Sequence, residues 1–221
     1  TTAATTTTTV STTPEVGREV KIGVVSPQTG PLAPFGIADQ WSAALTAKTL
    51  GEGRVLGDGK EHPIEIVFQD TQSDSNRAAQ VTGDLISNQK VDIIAVSGSP
   101  DTVLPAADQA EALETPLLSV FCPWAAFVFS RGGSFEQPFK WTFGHLLGME
   151  QGVTSWIDMF DMTPTNKVVG FIVPNTADGM AWIDENTGAP PFFAAAGYTM
   201  VKSGEFQPGS EDFTAQIAQF K

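Results

Sequence analysis

The chain has 221 residues, 41% of them apolar, enough for one good-sized core or two modest ones. Its 12 Lys and Arg against 25 Asp and Glu leave a formal net charge of −13, which excludes the basic patches that bind nucleic acid or anionic membrane surfaces. A single cysteine, Cys122, and two histidines, His62 and His145, exclude a disulfide framework and a zinc cluster, and no apolar run approaches the roughly 20 residues of a membrane span.

Residues 1–13 are Thr, Ala, Ser and one Val, too polar and too poor in large side chains to pack. Positions 1–18 are accordingly expected to be a disordered tether. No basic segment followed by an apolar one opens the chain, so an export signal is expected to have been removed or never included. From Val20 onward, short β-branched runs alternate with stretches of helical spacing, the pattern of βαβ units around a parallel sheet. Strands are predicted at 21–26, 64–70, 91–97 and 117–121, each bounded by Gly, Pro, Asp or Ser. Between them, Ile37, Trp41, Ala44, Leu45 and Lys48 recur at three- and four-residue spacing, as do Ala78, Val81 and Leu85, then Leu104, Ala107 and Ala110. Each set predicts a helix with an apolar stripe on the sheet.

The rhythm breaks over 122–138, predicted as a loop rich in Gly, Ser and Phe, followed by an extended stretch at 139–143. A second series then begins. Val153, Trp156, Ile157 and Phe160 predict an amphipathic helix, 168–173 a buried strand, 182–196 a helix, 198–201 a strand, and Phe213, Ile217 and Phe220 a last helix. That helix reaches Lys221 without a Gly or Asn stop signal, so the protein is expected to continue. Two series joined by an extended segment predict an α/β fold of two Rossmann-like lobes, 19–143 and a partial second lobe at 144–221. Ligands of open α/β sheets sit beyond the carboxyl ends of the strands, so the strand-end loops are the candidate site.

Those loops carry a resemblance. Ser26-Pro-Gln-Thr-Gly-Pro-Leu-Ala-Pro-Phe-Gly36, Phe68-Gln-Asp70 with Asn76-Arg77-Ala78-Ala79, Val91-Asp-Ile-Ile-Ala-Val-Ser-Gly-Ser99, Thr115-Pro-Leu-Leu-Ser119 and Gly204-Glu-Phe-Gln-Pro-Gly-Ser-Glu-Asp-Phe213 together resemble the type I periplasmic binding proteins, specifically the branched-chain amino-acid-binding family. The resemblance covers about residues 20–221. It implies the type I periplasmic-binding-protein fold with an incomplete second lobe, a periplasmic or extracellular location with lipid anchoring, and an interlobe cleft closing on a ligand. It further implies two partners, a small-molecule ligand (amino acid, amide or aromatic acid) and the membrane permease of an ABC transporter, and it implies no cofactor.

Carried onto this sequence, the family pattern places ligand contacts at Phe35, Ser99, the Cys122-Pro123-Trp124 turn and Asp178. Ser99 reads as a ligand-binding hydroxyl or as a plain N-cap, and Phe35 as a ring over the ligand or as packing. Trp124 stands where the family presents small residues and a Thr hydroxyl; an indole offers stacking, cation–π contact or one N–H but cannot accept from an ammonium, and Trp124 reads equally as a lid aromatic covering the hinge. Cys122 reads as an apolar filler, since no base is near in sequence. Asp178, where the family has an aromatic, would hold an ammonium or sugar hydroxyls, or cap the helix carrying Trp182. Trp141, Phe143, Gly144 and His145 fall where the chain crosses between lobes and are read as the hinge.

Catalysis has no fingerprint: the first loop is prolyl and lacks the Gly-rich phosphate turn or P-loop Lys, and no G-x-S-x-G elbow occurs. A binding protein is therefore expected rather than an enzyme. The remaining rival is a ligand-sensing domain of a receptor or amide-type regulator with the same fold.

Overall fold

A computed structural model describes residues 13–221; the expected tether therefore lies outside the described residues up to position 12. Its last residues are not loose. The Glu15 carbonyl accepts from the Glu61 N–H at 2.8 Å, Val16 bridges Glu61, and the Arg18 guanidinium meets Asp92 at 2.7 Å.

The β-branched run Val20–Ser26 forms β1. It leads into α1 (Ala33–Leu50), a small antiparallel pair β2 (Arg54–Val55) and β3 (Glu61–His62), then β4 (Ile64–Asp70), α2 (Ser75–Ser87), β5 (Ile93–Val96), α3 (Pro100–Ala112), β6 (Leu117–Ser119), α4 (Trp124–Phe129) and β7 (Thr142–Gly144). Apart from β2 and β3 these strands make one parallel sheet in the order β4-β1-β5-β6-β7. Its core lies between the sheet and the helices α2, α3 and α4, where Val25, Ile94, Val96 and Leu117 meet Val81, Leu85, Val103, Ala107 and Phe127. Burying each such side chain contributes about 1.5–3 kcal/mol.

The stretch 122–138 is not all loop. Pro123 supplies the N-cap of α4, and Trp-Ala-Ala-Phe-Val-Phe forms a short helix because Phe127 is drawn into the core. The buried Arg131 side chain pins the chain beyond that helix: Nε donates to Asp108 at 2.6 Å, Nη1 to Thr142 at 3.0 Å, and the guanidinium lies 3.8 Å over the Phe139 ring.

Helix α1 departs most from expectation. Ile37 and Trp41 are 72% and 68% exposed, and Leu45 is exposed too, so the predicted stripe faces away from the sheet. Its apolar residues are spread over all sides among polar ones such as Asp39, Gln40 and Lys48, so burial alone does not set its rotation. Ser26 at the end of β1 donates to Asp39 at 2.7 Å and turns the Asp39 side inward. On that face of the sheet, Ile93, Leu118 and Phe143 remain exposed.

The second series comprises α5 (Met149–Phe160), β8 (Val168–Pro174), α6 (Ala177–Trp182), α7 (Pro190–Ala195), β9 (Thr199–Phe206) and α8 (Thr214–Ala218), with β8 and β9 paired in parallel. It has its own core of Val153, Ile157, Ala189, Phe193 and Tyr198, against which Trp156 and Trp182 stack at 5.3 Å. Two cores on two parallel sheets make a two-lobed α/β protein. The single helix expected over 182–196 is broken in two. Asp184 accepts from the N–H groups of Asn186 and Thr187, forming a turn, and Pro190 and Pro191 fit only the first turn of a new helix. No helix among the described residues is long and apolar enough to cross a membrane.

Asp70, the last residue of β4, secures the first loop. Its carboxylate accepts from the N–H groups of Gln28 at 2.8 Å, Thr29 at 3.3 Å and Gln72 at 2.8 Å, and from the Thr29 hydroxyl at 2.7 Å. Partial burial pushes its pKa up, but the bonds from Thr29, Gln72 and Gln28 outweigh that and hold it below the usual 3.8. Asp70→Ala is expected to lose about 2–3 kcal/mol in urea unfolding at pH 7. Because the folded pKa is depressed, this contribution is present above pH 3.8 and fades as pH falls through the carboxylate range, so the two proteins should converge in stability at low pH.

Candidate functional site

The larger sheet reverses direction at β1. One crossover runs outward to β4 on one side and the chain returns to β5 on the other, so the loops after β1 and β5 diverge and leave a crevice at their carboxyl ends. Loop 27–32 forms one wall, held by Asp70. The other wall is the turn 97–99, where Gly98 at φ +131° packs on Pro27; a Cβ there would lie 2.6 Å from the Thr102 hydroxyl oxygen.

Phe35 is brought to this crevice, its ring 5.7 Å from that of Phe121. Sequence reasoning passed over Phe121, which looks like the end of a strand. The structure ends β6 at Ser119 and holds Phe121 at φ +62°, a left-handed conformation that a bulky side chain rarely adopts, with 45% of it exposed. Only the fold shows that this strain presents an aromatic ring beside Phe35. Beneath α1 a cavity of about 210 Å³ is lined by Ile22, Val24, Asp39 and Ser97. The Ser97 hydroxyl, like that of Ser119 at the neighbouring strand end, is buried without a hydrogen-bond partner.

Ser99 occupies the N-cap position of α3, yet its side chain makes no cap bond. Its carbonyl receives the N–H groups of Thr102 and Val103, and its hydroxyl donates to Asp101 at 3.0 Å. The other Asp101 carboxylate oxygen accepts the N–H of Ala177, the first residue of α6, at 2.9 Å. One carboxylate thus joins the strand-end region of the first lobe to that of the second. Sequence reasoning missed Asp101 because an acid in a helix's first turn is ordinary.

Asp178 follows Ala177 directly and does not cap α6; Thr176 does, accepting from the Gly179 N–H at 3.2 Å. Half-buried, the Asp178 carboxyl is pushed above the usual aspartate range chiefly by loss of solvent and secondly by the charge of Asp101, with the Trp182 side chain opposing. Ser99, Asp101 and Asp178 therefore share one place.

Cys122 and Trp124 do not present themselves there. Cys122 is 0% exposed and belongs to the first-lobe core, so it has no surface to offer a ligand. Burial, with the nearby Asp178 charge, drives its thiol up to about 12. Trp124 packs on Phe129 and Phe135, and its one N–H donates to Glu150 of α5 at 2.8 Å. It ties α4 to α5 across Gly148, whose Cα they crowd so closely that a Cβ would collide with both the indole and the carboxylate.

The residues read as the hinge lie at the edge of the first sheet, where the chain leaves it for α5. Phe143 and Gly144 pair with Leu118 and Ser119; the Trp141 N–H donates to Glu111 at 3.0 Å and the His145 N–H to the Ser119 carbonyl at 2.9 Å. Before α5, the Gly148 N–H donates to Gln151 at 2.7 Å and caps that helix. Among the described residues no cluster of His, Cys, Asp or Glu converges as a metal site does.

Residues 19–221 match the family model described as periplasmic binding protein. A search of curated proteins finds no match. Among solved structures, an extracellular ligand-binding receptor from Rhodopseudomonas palustris HaA2 is similar at a TM-score of 0.73 and 18% identity, over 91% of this chain and 50% of the other. The leucine-binding protein LivK from Thermotoga maritima MSB8 gives 0.70 and 21%, over 90% and 52%. An ABC-transporter solute-binding protein from R. palustris, in complex with 4-hydroxybenzoate, gives 0.71 and 19%, over 91% and 50%. The chain thus spans about half the length of the structures it resembles.

The Cys122 environment is directly measurable. With a thiol titrating near 12, labelling by a thiol-reactive disulfide at pH 8 is expected to be slower in the native protein than in urea by about 100-fold or more. Equal rates would place the thiol in contact with solvent.

Proposed function

The chain belongs to the periplasmic binding protein family, and on that premise we propose that it supplies the ligand-gripping part of an extracytoplasmic solute-binding component of an ABC importer. The bound molecule is an amino acid or related small amphipathic compound, held between the lobes 19–143 and 144–221. The observation that carries this reading is the meeting of strand-end regions from two sheets, joined by the Asp101 carboxylate and the Ala177 N–H. A solute-binding site needs opposed walls, and two strand-end regions facing each other support that reading.

The site residues have distinct parts in this reading. Phe35 and Phe121 form an apolar bed, Ser99 and Asp101 a polar wall, and Asp178 faces them from the second lobe. Trp124 and Glu150 join the lobes beside the hinge rather than contacting the ligand. Closure on the ligand excludes water, and a permease reads the closed shape. That requires the ligand to bind the closed arrangement more tightly than the open one. The family and the ABC-transporter solute-binding neighbours support this reading and a periplasmic or extracellular location.

The test is a thermal-shift screen against amino acids, amides, amines, aromatic acids and sugars. A ligand well above its Kd is expected to raise the melting temperature by several degrees. Phe121→Ala is expected to weaken that ligand about tenfold by removing part of the apolar bed, with the unliganded melting temperature little changed. Absence of any shift across the whole screen would defeat the solute-binding reading.

A further inference from the structure

We propose that the cavity beneath α1 is a second binding site, separate from the cleft between the lobes, and that it takes a single-ring molecule bearing one hydroxyl, of the phenol kind. It stands independently of the solute-binding reading.

A parallel sheet is ordinarily buried on both faces by the helices that connect its strands. One face of the larger sheet meets that rule, with α2, α3 and α4 packed on it. The other is covered by α1, which rests mainly on β1 and β4. Strands β5 and β6 therefore stand partly bare beside the helix, and Ile93 and Leu118 are exposed there. Side chains alternate along a strand, so Ala95 and Ser97 share that face with Ile93, and Val120 shares it with Leu118. Between these residues, Ile22 and Val24 of β1, and α1 lies the cavity of about 210 Å³. Every residue that lines it falls between 22 and 120, so the first lobe forms it without the second.

An apolar cavity of about 150 Å³ takes up benzene, so a space of about 210 Å³ has room for one ring with a substituent. Two polar groups decide which substituent. Ser97 lines the cavity and is 3% exposed, and its hydroxyl has no hydrogen-bond partner. A buried hydroxyl left unpaired is costly, and a ligand hydroxyl gives it the partner that the protein does not. Asp39 lines the α1 side, its Oδ2 accepting from the Ser26 hydroxyl at 2.7 Å. That carboxylate opposes a ligand carboxylate, and a charged group of either sign gives up its water to walls that are mostly apolar. An uncharged hydroxyl meets neither cost.

The test uses three single-ring probes: 4-methylphenol; 1,4-dimethylbenzene, in which a methyl replaces the hydroxyl; and benzoate. Calorimetry at pH 7.5 is expected to show 4-methylphenol binding at least about tenfold more tightly than either of the others. Ser97→Ala is expected to remove most of its advantage over 1,4-dimethylbenzene. Ala95→Ile, which fills part of the space, is expected to weaken 4-methylphenol at least about tenfold, with a urea midpoint no lower than that of the unsubstituted protein. Nuclear Overhauser contacts in the unsubstituted protein are expected between the 4-methylphenol ring and the methyl groups of Ile22, Val24 and Val120, a readout that needs no variant to fold. Equal binding of 4-methylphenol and 1,4-dimethylbenzene, full affinity in folded Ala95→Ile, contacts only to residues outside 22–120, or no binding of 4-methylphenol would each overturn the proposal and leave the cleft reading as it stands.

Discussion

Every strand of the larger sheet aims its carboxyl end at the same edge, and each loop leaving that edge carries backbone N–H groups that no ladder satisfies. Carboxylates take them up. Asp70 receives Gln28, Thr29 and Gln72 around the first loop, and Asp101 receives Ala177 from the second lobe; at the opposite edge Glu111, on the last turn of α3, does the same for Lys140 and Trp141 at 2.8 and 3.0 Å as the chain enters β7. Burial pushes the Glu111 carboxyl up, but these bonds, the Thr142 hydroxyl and the Arg131 charge hold it below its usual range. A bond to an ionised acceptor is about twice as strong as one between neutral groups, so a few acids fix loops that would otherwise be mobile. Part of the acidity of the sequence is therefore structural.

That choice shapes the site. A loop fastened by Asp or Glu can be rigid without a large apolar anchor, but it brings negative charge to the crevice that a ligand enters. Where the carboxylate is consumed by several donors, as with Asp70, the charge is spent on the loop itself. Asp101 differs because one of its partners belongs to the other lobe. Its bond joins the two lobes beside Asp178.

What could be read from the sequence divides along the same line. Strands bounded by Pro, Gly or Asp were legible to within a few residues, β4 at 64–70 without error, because β-branched runs and chain breakers act locally. Helix α2 was legible too, since Ala78, Val81 and Leu85 are its only large buried stripe and contrast with polar neighbours. Helix α1 was not, because its apolar residues are spread over all sides and one distant bond, Ser26 to Asp39, rather than a stripe, accompanies its orientation. Phe35, Ser99 and Asp178 were read as site residues from their place in strand-end loops. Trp124 and Cys122 lie in such a loop as well, but the first points toward α5 and the second toward the core, a distinction set by which way α4 turns after Pro123. Asp101 and Phe121 carried no local signal, for one resembles a common first-turn acid and the other a strand end.

The two series meet twice. Where α4 faces α5, the Trp124 N–H donates to Glu150 over Gly148, a place so close that a Cβ would collide with both side chains. At the strand-end side, the Asp101 carboxylate accepts the Ala177 N–H, and the neighbouring Asp178 carboxyl is pushed above the usual aspartate range by loss of solvent and then by the Asp101 charge. A hydrogen bond to a charged acceptor contributes about 1.5–3 kcal/mol, so each meeting point sets one such bond against the cost of taking a carboxyl group out of water. The arrangement of the two series therefore depends on a few carboxylates rather than on a broad apolar seam.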